Sequence, residues 1–300
     1  MGPEDVQVDS AGRVLTGLAD GRILRLTLDD AGRLGDSEVL ARTGGRPLGL
    51  EVAPDGGLLV CDARRGLLRV DASDGSVRVL AEEVDGVPLR FCSNAAAASD
   101  GTVFFTVSSR RYGLEGWLGD ILEHTGTGLL LRLRPGGAPE VLLDGLQFAN
   151  GVALAPDESF VVVAETGAYR LTRFWLTGPR AGERETLLRG LPGFPDNISR
   201  TPEGLFWIAL AAPRDAALEW LHRRSRGVRR AAGAVAGRLR IPPRSTVEVL
   251  AVDSAGRIVH DLVLHRSPYR MVTSVCEIRG KLVLGSLRER GIAVCGRPTT

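Results

Sequence analysis

The chain has 300 residues, 44% of them hydrophobic and 25% charged, with 38 Lys and Arg against 36 Asp and Glu. This composition excludes disorder, collagen and coiled coil and leaves ample apolar mass for a core. A net charge of +2 supplies no general attraction for nucleic acid or acidic lipid. Lys281 is the only lysine, so the wealth of arginine reads as coding bias. No apolar run approaches the roughly 20 residues of a spanning helix. Met1 leads directly into Gly2, Pro3 and Glu4 without a basic and apolar leader, so the expected location is cytoplasmic. Cys61, Cys92, Cys276 and Cys295 are far apart and follow no metal-ligand spacing; buried free thiols are expected.

An apolar run, a short turn carrying Asp or Gly and a second apolar run recur at intervals of about 45 residues. The turns span Asp9 to Gly12, Pro54 to Gly57, Ser99 to Thr102, Pro156 to Ser159, Pro202 to Leu205 and Ile278 to Lys281, marking six units. A β-rich strand follows each: Val14 to Thr16, Leu58 to Cys61, Val103 to Thr106, Phe160 to Val163, Leu205 to Ile208 and Lys281 to Leu284. Third strands such as Gly66 to Val70 and fourth strands such as Glu185 to Leu188 extend the units. Four antiparallel strands in each of six radial repeats predict a single all-β domain over 1–300, a six-bladed β-propeller.

Two units are stretched. The third carries a loop insertion, 112–127. The fifth carries a helical insertion, 213–243, with Ala216, Leu218 and Leu221 among Arg223, Arg224, Arg226, Arg229 and Arg230. A solvated covering helix is expected there rather than a membrane-facing one. Because the chain opens on an innermost strand, either a preceding segment closes the ring or the last blade is short.

Aligned on their turns, the units place Glu4, Leu48 with Gly49, Asn94, Asn150, Asp196 with Asn197, and Thr273 at the entries of the innermost strands. Those entries converge on the channel axis, so carboxylates and amides should ring one mouth. Any one of them alone is explained as a turn residue; their common register points to a metal site. Oxygen donors without Cys or His suit a hard cation with about six to eight ligands, Ca²⁺ ahead of Mg²⁺, Mn²⁺ or Zn²⁺.

The motifs Gly2-Pro-Glu-Asp-Val6, Phe148-Ala-Asn-Gly-Val152, Ala164-Glu-Thr166 and Gly193-Phe-Pro-Asp-Asn-Ile198 resemble the strictosidine-synthase-like branch of the calcium-dependent six-bladed propellers. That superfamily also holds gluconolactonase (senescence marker protein, regucalcin) and the paraoxonases. The resemblance covers nearly the whole chain and implies Ca²⁺ held by Glu4, Asn94, Asn150, Asp196 and Asn197. Departures are informative. Thr273 stands where strictosidine synthases proper have an acid/base glutamate, and threonine exchanges no proton near neutral pH; carbon–nitrogen condensation is therefore disfavoured. Leu48 stands where paraoxonase-like sites have a histidine, and Val107 where the family has an acidic residue.

The resemblance implies a calcium-dependent hydrolase of lactones or esters. The ion would polarise the carbonyl, and Asp196, or else Glu4, would activate water. His124, in the first insertion, is the only histidine placed to assist; His222, His260 and His265 read as structural or surface residues. Arg110, Arg111, Tyr112 and Thr273 are candidate substrate contacts for an anionic or polyhydroxy small molecule. No Gly-rich phosphate loop, Gly-x-Ser-x-Gly elbow or His-Glu-x-x-His motif is present. The competing class is a binding or scaffold propeller whose calcium only pins the blades.

Overall fold

Strands at the heart of a propeller are covered on both faces by neighbouring blades, which is why the second strands read as unbroken apolar runs. In the computed structural model, which describes residues 2–238 and 245–297, Leu58–Asp62 and Phe160–Glu165 are buried at every position. The two-residue strand period divides these side chains between interfaces. Leu59 and Cys61 pack towards the third blade, whereas Leu58 and Val60 pack towards the first. Outer strands such as Leu34–Arg42 and Ile258–Leu264 are largely exposed.

Five sheets contain four antiparallel strands running outward in chain order. Their inner strands are Val6–Val8, Pro47–Val52, Cys92–Ala97, Ala149–Leu154 and Gly193–Arg200. The sixth sheet has three among the described residues, Val272–Ile278, Lys281–Ser286 and Ala293–Gly296. A short last blade is one of the two alternatives that the sequence leaves open. The first and last blades meet here: Ser286 N donates to Pro3 O at 2.6 Å, and Thr273 Oγ1 donates to Glu4 O at 2.6 Å. An apolar cluster fills each of the six blade interfaces, including the one between the first and last blades.

The first insertion is helical rather than a loop, with a 3-10 turn at Leu114–Gly116 and helix α1 at Trp117–Glu123. The second forms α2, Ala216–His222, and α3, Arg226–Ala234; the end of its expected span, 239–243, lies outside the described residues. Asp215 caps α2 by accepting from Leu218 N at 3.0 Å. Both insertions leave second strands at the end where inner strands begin, because Cys92 pairs with Val107 and Gly193 with Pro213. They therefore lie over that mouth. Leu48, Phe91, Ile121, Phe148 and Leu218 form a seventh apolar cluster beneath them.

Arg223, Arg224, Arg226 and Arg230 are exposed. Among the described residues no helix is long and apolar enough to cross a membrane. Cys61, Cys92 and Cys276 are buried free thiols, but Cys295 is exposed because it lies on the outermost strand of the short blade. Phe105 is fully buried between the second and third blades, so Phe105→Ala should cost about 3–5 kcal/mol in denaturant unfolding. Val79→Ala, on a partly exposed outer strand, should stay within about 0.5 kcal/mol.

Candidate functional site

The inner strands do not simply begin at the predicted ring; they bulge there. Pairing with the second strand shifts register between Pro47 and Leu50, Cys92 and Ala95, Ala149 and Val152, Pro195 and Ile198, and Val272 and Ser274. These intervals contain Leu48 with Gly49, Asn94, Asn150, Asp196 with Asn197, and Thr273. A bulge frees backbone groups from the ladder and redirects side chains. The freed groups are taken up locally: Leu50 N donates to Asp5 Oδ2 at 2.8 Å, Val152 N to Asn94 Oδ1 at 3.3 Å and Asn94 N to Thr106 Oγ1 at 3.2 Å. Glycine follows the ring position in two blades because the next inner strand is too near. A Cβ on Gly151 would lie 2.6 Å from Asp196 O, and one on Gly49 would lie 2.5 Å from Asn94 Cα.

Glu4, Asn94, Asn150, Asp196 and Asn197 are all buried, and the last four are hydrogen-bonded in two pairs. Asn150 Nδ2 donates to Asp196 Oδ1 at 2.6 Å, and Asn94 Nδ2 donates to Asn197 Oδ1 at 3.0 Å and to Asp5 Oδ2 at 3.4 Å. Asp5 is the member that strand alignment misses. It is 3% exposed and lies beside Glu4 in the first motif, where a second acid directly before an apolar strand is the only sequence signal. Arg46, also missed, reaches Glu4 Oε2 with Nη2 at 3.4 Å.

Electrostatics set this ring apart. Burial raises Glu4 to about 7 despite the opposing charge of Arg46. Burial likewise raises Asp5 to about 8, against hydrogen bonds from Leu50 and Val6 and with the help of Glu4. Asp196 is pushed well above the carboxylate range by burial first and then by Glu4. Three buried acids thus share one nearby arginine, and Asn197 Nδ2 has no partner. Among the described residues no cluster of three or more His, Cys, Asp or Glu side chains forms a ready metal cage. The donor set is instead mixed carboxylate and amide, an all-oxygen set that fits a hard divalent cation such as Ca²⁺, and the shortage of positive charge fits it too.

The remaining expected residues lie elsewhere. Thr273 is fully buried, and its hydroxyl donates to Glu4 O, so it joins the first and last blades instead of facing a substrate. Tyr112 Oη donates to Glu123 Oε2 at 2.8 Å, and Arg111 pairs with the same carboxylate at 3.0 Å; both are tied to α1. Arg110 is exposed. His124 ends α1 and lines a cavity of about 280 Å³ with Arg111, Glu123, Thr125, Thr127, Arg226 and Arg229, which includes no ring residue. His222 is not an isolated surface residue: its ring lies 4.0 Å from that of His124, and its Nε2 donates to Ile121 O at 2.8 Å. Burial, then His222 and Arg229, lower His124 to about 4. His260 stacks on Trp207 at 5.5 Å.

Raised acids make the metal-free protein pH-sensitive. Glu4 and Asp5 bind protons more tightly folded than unfolded, so folding is favoured below their ordinary values of 4.5 and 3.8 and loses stability as pH rises towards about 7 and 8. Melting temperature in EDTA should fall between about pH 4 and pH 8, and added Ca²⁺ should restore it most strongly at the upper end. A flat profile in EDTA would contradict the charged-ring account.

A profile of the strictosidine synthase family matches residues 95–179, and one of the strictosidine synthase-like N-terminal region matches 1–26. Strictosidine synthase-like protein 4 of Arabidopsis thaliana is 30% identical over 95% of this chain and 76% of its own length. Strictosidine synthase-like protein 13 of the same plant is 37% identical over 74% of this chain but only 61% of its own. The adipocyte plasma membrane-associated protein of Rattus norvegicus is 36% identical, with 71% of this chain and 60% of that protein aligned. This chain therefore spans about three-fifths of the length of several curated relatives. Among solved structures, a gluconolactonase from Xanthomonas campestris superposes with a TM-score of 0.65 at 19% identity, covering 94% of this chain and 82% of that one. The calcium-binding protein regucalcin from Agrobacterium tumefaciens gives 0.63 at 17%, covering 96% and 82%. At these identities the likeness is one of fold.

Proposed function

Because this chain belongs to the strictosidine synthase-like family, we propose that it is a divalent-metal-dependent hydrolase of small lactones or carboxylic esters, with Ca²⁺ as the ion. The observation that carries the reading is the ring itself: Glu4, Asp5 and Asp196 buried together with Asn94, Asn150 and Asn197 and short of positive charge. Fold neighbours named as a gluconolactonase and as a calcium-binding regucalcin support it.

Glu4, Asn94, Asn150, Asp196 and Asn197 would hold the ion. When bound, it would polarise the substrate carbonyl and stabilise the oxyanion. Asp196 takes the proton from the attacking water, and the Asn150 amide, 2.6 Å away, fixes the orientation of its carboxylate. Arg46 holds Glu4 in place. The apolar cluster of Leu48, Phe91 and Phe148 above the ring excludes bulk water, which strengthens every charge interaction beneath it. Carbon–nitrogen condensation has no acid at the sixth blade's ring position, where Thr273 stands with its hydroxyl committed to Glu4 O.

The second reading is a binding propeller with structural calcium. It is favoured by the close cover over the ring, whose members Glu4, Asn150 and Asp196 are each only 6% exposed. A panel of aldonolactones, γ- and δ-lactones and phenyl acetate separates the two. A hydrolase loses turnover in EDTA, regains it with Ca²⁺, and in Asn150→Ala loses about tenfold to a hundredfold in kcat/KM. Absence of turnover throughout, with a melting temperature that still drops on chelation, would overturn the hydrolase and leave the binding propeller.

A further inference from the structure

The cavity between the two insertions has a charge pattern that the ring does not explain. Its walls bring Arg111, Arg226 and Arg229 together with a single carboxylate, Glu123. That carboxylate is already engaged by Arg111 at 3.0 Å and by Tyr112 Oη at 2.8 Å. Arg226 and Arg229 have no ion pair with any described acid, and Arg229 Nε and His124 Nδ1 are buried without partners. Buried polar atoms without partners cost about 1–3 kcal/mol each unless a ligand satisfies them, and Arg229 Nε is always a donor. The hydroxyls of Thr125 and Thr127 complete a polar wall, bonded to each other at 2.9 Å and through Thr125 to Asp120 at 2.6 Å. The pocket is thus rich in donors, positively charged and about 280 Å³ in volume, at the small end of ligand sites.

We propose that this cavity binds a small tetrahedral oxyanion, phosphate or a phosphate monoester, between Arg226 and Arg229 on α3 and His124 at the end of α1. Arginine forks suit several oxygens of one anion, and donors here come from two separate insertions, so a bound anion would tie α1 to α3. His124 lines the cavity and its Nδ1 has no partner, so an anion there would select the tautomer with N–H at that nitrogen; the titratable and charged groups facing it are His222, Arg229, Arg170 and Glu165. The site shares no residue with the ring, so it holds whether or not the ring is catalytic.

Calorimetric titration of the full chain with inorganic phosphate, and separately with glycerol phosphate, at low and constant ionic strength tests this. One saturable site is expected, together with a shift of the His124 ring resonances in NMR. Arg229→Gln and Arg226→Gln should each weaken binding by about tenfold, the loss of one charge-assisted contact. Arg226 is exposed, so its variant carries the test if Arg229→Gln fails to fold. Tighter binding of the monoester would identify an esterified ligand, and equal binding a free anion. Absence of saturable binding, equal affinity in Arg226→Gln and the parent, or acetate binding as tightly as phosphate would each overturn the proposal.

Discussion

The site depends on one backbone device, a bulge at the entry of the inner strands. In five blades the ladder slips by a residue where the chain reaches the axis. The bulge turns polar side chains into the channel and releases backbone N–H groups from the ladder. Asp5 and Asn94 accept two of the released groups. Without the bulges the two-residue alternation would send ring residues into the apolar interfaces between blades, where an unpaired carboxylate or amide is costly.

The consequence is a concentration of like charge. Convergence of six strands on one axis brings Glu4, Asp5 and Asp196 within influence of one another in a buried place, with Arg46 as the near counter-charge. Such an arrangement is unfavourable by itself and becomes favourable when a cation or protons are taken up. The packing of all six interfaces holds it, including the seam where Pro3 and Glu4 bond to Ser286 and Thr273. Stability of the scaffold and the charge state of the ring are therefore coupled.

Above the ring the two insertions make a separate chemical neighbourhood. Tyr112, Arg111 and Glu123 hold the start and end of α1 together, α3 packs beside it, and an apolar layer lies between this cover and the acids. His124 and Arg229 of the cover line a cavity of their own, and the His222 ring stands against His124. One propeller thus carries an acid-rich centre and an arginine-rich rim, with Leu48, Phe91 and Phe148 in the apolar cluster between them.

Sequence periodicity alone determined the six units, their strand order, the places of the two insertions and the ring positions; the family resemblance chose five of their residues as ligand candidates. The repeat sets radial position, and the polar entries interrupt otherwise apolar strands, so both survive in a linear reading. Asp5 escaped because alignment on the turns assigns one entry position to the first blade and Glu4 fills it, and Thr273 was misread because a hydroxyl at a ring position does not reveal whether it faces the axis or a carbonyl across the seam. The helical character of 114–123, the meeting of His124 with His222 and the raised carboxylates were decided only by tertiary structure. The histidine meeting and the raised acids arise from groups far apart in the chain, 98 residues in the case of the two histidines, and burial and charge coupling of that kind exist only once the ring has closed.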